Sequence, residues 1–404
     1  MVSNAAKALI IIACISTGIV AVLLAPLQIV RYDGTNIVQY SASVDQINLI
    51  TNSDIANIEI SYATDPNADL LNLTYHYLIR HAIAFSPPNI TVSFFNSTSG
   101  SILTVRVIVD FSALGFTSLA ASVTHLTINP KLLSNLSIHV ATGNIDLDNT
   151  NSQNKTFIDV DLETATGNIN VNLADDSHII GDLYLSSATG NLGVATGTQA
   201  FIGGSLQAYA GTGNIDVDLA NDSSITGNLF LRTLSGNSGL EVGVDAAIEG
   251  SMQVNATSGN VEVLLRAGVT LKTDFIVKTG SGNANLIFSN LSLANNAAMG
   301  TVRATSGNIL VSIQQLQDLS GNLTLNVRTG SGNVNFHIGL EQDYLSSTII
   351  PYTGSGNINY IPFTPSGFHK VGANLVSDTP DQASNINADL HTTSGNINIY
   401  ASRT

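Results

Sequence analysis

The chain has 404 residues, 44% hydrophobic and only 11% charged, with 34 glycines, no tryptophan and a single cysteine. Its 29 acidic and 14 basic side chains give a formal charge of -15, which repels a nucleic-acid backbone and an anionic membrane surface. Cys14 alone can form neither an intrachain disulfide nor a multi-cysteine metal site, and the apolar content is too high for a disordered chain.

No charge interrupts Ala8 to Val30, and a neutral run of 23 residues is long enough to cross a ~30 Å hydrocarbon core as a helix. Residues 1–31 are therefore expected to form an N-terminal transmembrane anchor, with residues 8–30 in the membrane. A cleaved signal peptide competes, because Lys7 precedes the apolar run, but the run is long and Pro26 follows Ala25 where cleavage would fall. Lys7 on one flank and Arg31 with Asp33 on the other lean toward the N-terminus inside. The expected location is the cell membrane, single-pass, with the bulk of the chain extracellular. Nine N-x-[ST] acceptors are permissive for such a glycoprotein: Asn72, Asn89, Asn96, Asn135, Asn154, Asn221, Asn255, Asn290 and Asn322.

Residues 32–140 read as β-rich. "QINLIT", "NIEISYA", "NITVSFF", "ILTVRVIVDF" and "VTHLTINP" alternate or run apolar between Asn, Pro or Gly breaks. The expected role is a capping region or irregular first coils at the end of a repeat array.

The array occupies 141–404. Gly-Asn pairs recur at Gly143 and Asn144, Gly167 and Asn168, Gly190 and Asn191, Gly213 and Asn214, Gly236 and Asn237, Gly259 and Asn260, Gly282 and Asn283, Gly307 and Asn308, Gly332 and Asn333, and Gly356 and Asn357. Their spacings are 24, 23, 23, 23, 23, 23, 25, 25 and 24 residues, and Gly395 with Asn396 follows after 39. A second series, Gly181, Gly204, Gly227 and Gly250, keeps the same period of 23. Apolar residues stand two and four places after each corner, as in Ile145 and Leu147 or Ile215 and Val217. Others stand five and seven places before it, as in Leu185 and Leu183. Period 2 on both sides of a corner describes two inward-facing strands, and "ADDSHIIG" exemplifies a variable third side. The predicted fold is all-β: a parallel β-helix, or solenoid, of ~23–25-residue coils. Gly tolerates the corner's positive φ, and Asn bonds locally. With coils stacked at about 4.8 Å, an amide ladder should run up the corner. Ser238 breaks the inner row, and 361–385 reads as a loop insertion in which Phe363, Phe368, His369 and Lys370 are candidates for partner contact.

An N-terminal span, then "LTINPKLLSNLSIHVATGNIDL", then reiterated "[TS]-[SG]-G-N-[IV]-x-[VLI]" resembles the putative-adhesin β-strand-repeat family of unknown function. The likeness covers nearly everything after residue 40, although many members write Gly-Asp where this chain has Gly-Asn. It implies a surface-exposed β-solenoid and transfers no catalytic residue.

Parallel β-helices also carry polysaccharide lyases and hydrolases, whose sites need clustered carboxylates beside a cation. The best pair is Asp175 and Asp176, near Asp148, Asp159 and Asp161, but the basic residues are few and scattered, so a solvated turn is the better reading. Asp146, Asp148, Asp216, Asp218 and Asp222 are expected to offer calcium oxygen ligands on adjacent coils, yet the glycine-rich nonapeptide of calcium-binding repeats is lacking. No catalytic residue, cofactor or metal set is assigned. His76 and His81 are five apart on a strand and point oppositely. The T-x-T of an ice-binding array occurs only sporadically, as at Thr164 and Thr166. The reading is a non-enzymatic cell-surface structural or adhesive protein, partnered by itself, an envelope component or a glycan, and not by nucleic acid. The alternatives are a carbohydrate-active enzyme on the same fold and a self-assembling envelope scaffold.

Overall fold

The computed structural model describes residues 27–41, 43–82, 88–113, 117–151, 154–341, 345–361, 367–378 and 384–403, and every regular element among them is a β-strand. One repeat illustrates the rest. Leu183–Thr189 lies parallel to Leu206–Thr212, with Leu183 opposite Leu206. Past the corner, Leu192–Ala195 lies parallel to Ile215–Leu219, with Leu192 opposite Ile215. The third side is the two-residue strand Phe201–Ile202 beside Ser224–Ile225. All three faces advance by 23 residues per coil, which makes the fold a parallel β-helix.

Alternation sorts the side chains. Leu183, Leu185, Leu192 and Val194 are buried, while Tyr184, Ser186 and Gly193 between them face outward. Stacked over many coils, the inner rows form one continuous apolar core. Volume is traded between rungs: Gly300 stands between Phe275 and Leu325, and a Cβ there would collide with the Phe275 ring. The third side begins with a turn whose left-handed residue recurs each coil, at Asn154, Asp176, Gln199, Asp222, Asp245 and Gly268. Short polar side chains or glycine tolerate that conformation best, which is the regularity hidden in the variable third side.

The inner row has one polar fault. Ser238 is 1% exposed between Ile215 and Val261, and among the described residues its hydroxyl has no hydrogen-bond partner. A buried hydroxyl left so costs roughly 1–3 kcal/mol. Ser238→Val is expected to raise stability by about 1–2 kcal/mol, read as a higher urea midpoint at unchanged m-value. An unchanged or lower midpoint would refute that account of the fault.

At the N-terminal end, Gln46–Ile55 and Asn57–Tyr62 stack directly under Leu133–Thr142 and Ile145–Asp148. The intervening chain goes outward and returns. Leu71–Ala82 runs antiparallel between Leu27–Val38 and Thr117–Ile128. Asn89–Ser99 and Ile102–Ser112 form a hairpin, and Ile102–Ser112 and Thr117–Ile128 rejoin the first coil in parallel. This cap buries Tyr77 completely, with its hydroxyl 2.5 Å from Thr124 Oγ1 and its pKa pushed up to about 12 by burial.

The transmembrane anchor expected over 8–30, and with it the single-pass, N-terminus-inside location, is corrected here. Leu27 to Val30 belong to a strand paired along its whole length, from Leu27 opposite Ala82 to Val38 opposite Leu71. Among the described residues no helix is long and apolar enough to cross a membrane. The apolar residues that lengthened the run, Ile29 and Val30, are β-branched and favour a paired strand. Residues 1–26, including Cys14, lie outside the described residues.

The last coil in sequence is not the last in space. Ser384–Ser394 and Ile397–Arg403 insert between Asn322–Ser331 with Val334–Leu340 on one side and Leu345–Ser355 with Ile358–Ile361 on the other. The 39-residue gap from Gly356 to Gly395 is therefore a return across the outermost coil, not a loop added to a coil stacked in sequence order. Burial explains the swap. Ile386, Ala388, Leu390, Ile397 and Ile399 make an apolar inner row, bounded by buried Ser384 and Thr392. The displaced coil carries Ser346, Ser347 and Pro351, which suit an edge because proline has no N–H for a further strand. Arg403 is 5% exposed and donates Nη2 to Leu345 O at 2.7 Å and Glu341 O at 3.3 Å.

Candidate binding face

The corners were the first candidate site, and their geometry is specific. Each corner Asn accepts, through Oδ1, the backbone N–H of the next corner Asn. Asn57 takes Asn144 N at 3.0 Å, Asn144 takes Asn168, Asn168 takes Asn191, Asn191 takes Asn214 and Asn214 takes Asn237, the last four at 2.8–2.9 Å. The ladder continues through Asn260, Asn283, Asn308 and Asn333 to Asn396 and ends on Asn357, at 2.9–3.0 Å. At about 4.8 Å per coil this row is roughly 50 Å long. Its first rung, Asn57, escaped the sequence reading because Ala56 replaces the glycine, although "ANIEI" otherwise matches the motif. A second row holds the same corners from inside: Thr164, Ser187, Thr233, Thr279 and Thr329 are buried and donate to the carbonyls of Gly143, Gly167, Gly213, Gly259 and Gly307. Thr164 and Thr166 thus have different roles, since Thr166 is exposed.

The second glycine series marks another laddered corner. Asp159 Oδ1 accepts Asp182 N, Asp182 Oδ1 accepts Ser205 N, and Asn228 Oδ1 accepts Ser251 N, at 2.6–3.0 Å. The acidic residues weighed for catalysis are therefore distributed rather than gathered. Asp159 is in this ladder, and Asp161 faces outward 3.8 Å from His139. Asp148 closes a local turn onto Thr150 N at 2.9 Å. Asp175 accepts Thr198 N at 2.8 Å, and Asp176 is the left-handed turn residue beside it. The calcium set is similarly separated. The register runs Asp146, Asn170, Gly193, Asp216, so Asp146 and Asp216 are three coils apart rather than on adjacent ones. Asp216 and Asp218 share a strand, and Asp222 is in the following turn. Burial, then Glu241 and Asp216, raise the Asp218 pKa. Among the described residues no group of three or more His, Cys, Asp or Glu could hold a metal.

The outer surface of the corner-approach face carries what the sequence reading missed. Position four before each corner forms one outward column in the order Glu163, Ser186, Tyr209, Arg232, Asn255, Lys278, Arg303, Arg328, His391, Tyr352. The basic residues expected to be scattered are in register here, four of the chain's 14 on one line. Aligning the repeats on Gly-Asn and reading that single position would have found them. Arg232, Lys278, Arg303 and Arg328 are exposed. Arg328 reaches Asp389 at 3.2 Å, while no carboxylate among the described residues pairs with the other three. Two positions on, small residues, Thr257, Gly280, Thr305, Gly330 and Thr393, leave a shallow groove along this column. Phe230 and Tyr209 (ring centroids 5.2 Å apart) and Tyr209 and Tyr184 (5.8 Å) continue the face toward the N-terminus. There the groove turns acidic, lined by Asp54, Asp110 and Glu163.

The other sequence candidates find definite places. Asn89, Asn96, Asn154, Asn221 and Asn322 are exposed, and Asn72, Asn135, Asn255 and Asn290 are half-buried. Asn221 and Asn290 are engaged as acceptors for Val244 N and Leu316 N, and Asn255 sits in the basic column. Of the insertion near 361–385, Phe363 lies outside the described residues. Phe368–Val371 and Asn374–Ser377 form a hairpin whose second strand pairs with Thr348 and Ile349 of the outermost coil. Phe368 is 6% exposed and so is not available as a partner contact. His369 Nδ1 is 2.8 Å from Asp378, and Lys370 Nζ lies 4.0 Å from the Tyr360 ring centre. His76 contacts Asp33, and the side chain of His81 lies outside the described residues.

No family model matches the chain, and no curated protein matches it. Two solved structures are similar over most of its length. One is a "putative cell adhesion protein" from Clostridium sporogenes, 10% identical, with a TM-score of 0.19 and coverage of 93% of this chain and 100% of that one. The other is a "putative adhesin" from Bacteroides fragilis, also 10% identical with a TM-score of 0.19, covering 92% and 97%.

Proposed function

We propose that the chain is a non-enzymatic structural or adhesive rod that displays outward-facing columns of side chains at a fixed rise. The observation that carries this reading is the unbroken corner ladder from Asn57 to Asn357. It locks successive coils in one register, so any row of surface residues is presented as a straight, rigid line. Preorganisation of that kind favours binding to an extended partner, because little conformational freedom is lost on contact. Beads carrying the full-length chain should adhere to a partner-coated surface, whether of glycan, protein or the chain itself, more than beads carrying an unrelated acidic protein. Failure to adhere to every surface in such a panel would sink the adhesive reading, and turnover of a polysaccharide by the chain would replace it with the enzymatic one.

A second reading, side-by-side self-association, is favoured by the exposed apolar Ile350, Tyr352 and Ile361 on the outer faces of the outermost coil. Sedimentation velocity over a hundredfold concentration range is expected to show association if it holds, and a constant monomer if it does not.

A further inference from the structure

Four cations in a chain of net charge -15 occupy one outward column, and Lys278, Arg303 and Arg328 are on consecutive rungs. Like charges placed directly opposite on neighbouring strands repel, and this row costs the fold stability that alternation with the abundant acids would avoid. Only Arg328 has a carboxylate at hand among the described residues. The array is straight, about 19 Å from Arg232 to Arg328 at ~4.8 Å per coil. It borders a groove floored by threonines and glycines, and leads into the half-buried rings of Phe230, Tyr209 and Tyr184.

We propose that this groove binds one strand of a linear anionic polysaccharide, a claim that rests on the adhesive reading above. Each part of the groove has a counterpart in such a ligand. The cations meet carboxylates or sulfates repeating along an extended chain, by charge-assisted hydrogen bonds. The threonine hydroxyls meet sugar hydroxyls, and the aromatic faces meet sugar rings. Asp54, Asp110 and Glu163 at the far end repel the same polymer and set where its bound stretch stops. Nucleic acid is the poorer occupant, because deoxyribose and bases offer the threonine floor few of the hydroxyls that every sugar of a polysaccharide carries.

The test uses full-length protein made in a host that does not N-glycosylate, because a glycan on Asn255 would fill the groove. Fluorescence anisotropy would follow a labelled galacturonic acid decamer and a chondroitin sulfate fragment, which separate carboxylate from sulfate recognition. A neutral glucan and a ten-nucleotide deoxythymidylate serve as competitors. The expected result is binding of at least one anionic glycan that falls several-fold between 50 and 200 mM salt. The paired variant Lys278→Gln with Arg303→Gln should weaken it at least about tenfold while the unfolding midpoint stays equal or rises, because the repulsion is relieved. No binding of either glycan, equal binding by the variant, or tighter binding of the deoxythymidylate would each overturn the proposal. If bead adhesion persists while both glycans fail to bind, the groove assignment falls and the adhesive reading stands; loss of both results removes both.

Discussion

Gly213→Ala is expected to destabilise the protein by roughly 3 kcal/mol or more. Two independent penalties act together. The residue has φ of +142°, a region that L side chains rarely adopt. A Cβ would also overlap the carbonyl oxygen of Gly190 in the coil below, and that carbonyl is backbone and cannot swing away. Relief requires one coil to rise off the other, which breaks the bond from Asn214 N to Asn191 Oδ1. Because each coil contacts chiefly its neighbours, damage in mid-array also uncouples the two halves. Urea unfolding should therefore show a lower midpoint and a broadened or split transition. Asn214→Ala removes only the acceptor for Asn237 N and should cost about 1–2 kcal/mol. Asn214→Asp keeps an oxygen in place and should cost less. A Gly213→Ala protein with a midpoint near that of the parent would show that the corner glycine is dispensable and that the ladder does not bind the coils.

The second large effect is a pH dependence set by Lys155. This side chain is 2% exposed at the N-terminal end of the third face, where it contacts Leu132 O, lies 3.3 Å from Pro130 O and stands 4.5 Å from the Tyr62 ring centre. Burial pushes its pKa down from 10.5 to about 7. The unfolded chain then holds a proton that the folded chain has lost throughout the interval between these values, so folding stability rises with pH from about 7 to about 10. Below pH 7 both states carry the charge and its full burial penalty is present; above about 10.5 both are neutral and the penalty is gone. The shift corresponds to an upper bound of roughly 5 kcal/mol, and the two carbonyls and the ring, which favour the ammonium, bring the expected gain to a few kcal/mol. Urea midpoints of the parent and of Lys155→Met, measured from pH 6 to pH 10, should diverge, with only the parent gaining this increment. Parallel curves would mean that Lys155 keeps an ordinary pKa in the fold.

Much of this architecture is local and was therefore readable. Period-2 alternation on either side of a recurring Gly-Asn predicts strands, inward faces and corners, because each depends on residues within one coil. Tyr184 outward and Leu185 inward follow from that pattern alone. The corner ladder was foreseen as stacked amides but takes a different form. Each side-chain oxygen reaches the next coil's backbone N–H, which a corner leaves otherwise unpaired, and so satisfies a donor that a side-chain-to-side-chain bond would leave open. Arg232, Lys278, Arg303 and Arg328 show the limit from the other side. Separated by 46, 25 and 25 residues, they look dispersed along the chain, and only the inter-coil register makes them one surface line.

What the amino-acid order determined unaided was the coil: its length, its two long faces, its glycine corners and its apolar interior, all set by steric and hydrophobic rules that act over a few residues. What only the tertiary structure decided was the order and ends of the stack. It placed Leu27 to Val30 in a paired strand rather than a membrane helix, set Asn57 as the first rung, and inserted Ile397–Arg403 inside Ile358–Ile361. Those choices depend on which exposed edge finds the better-matched partner. That competition between distant segments is settled by burial and by proline's missing donor, and no local pattern records it.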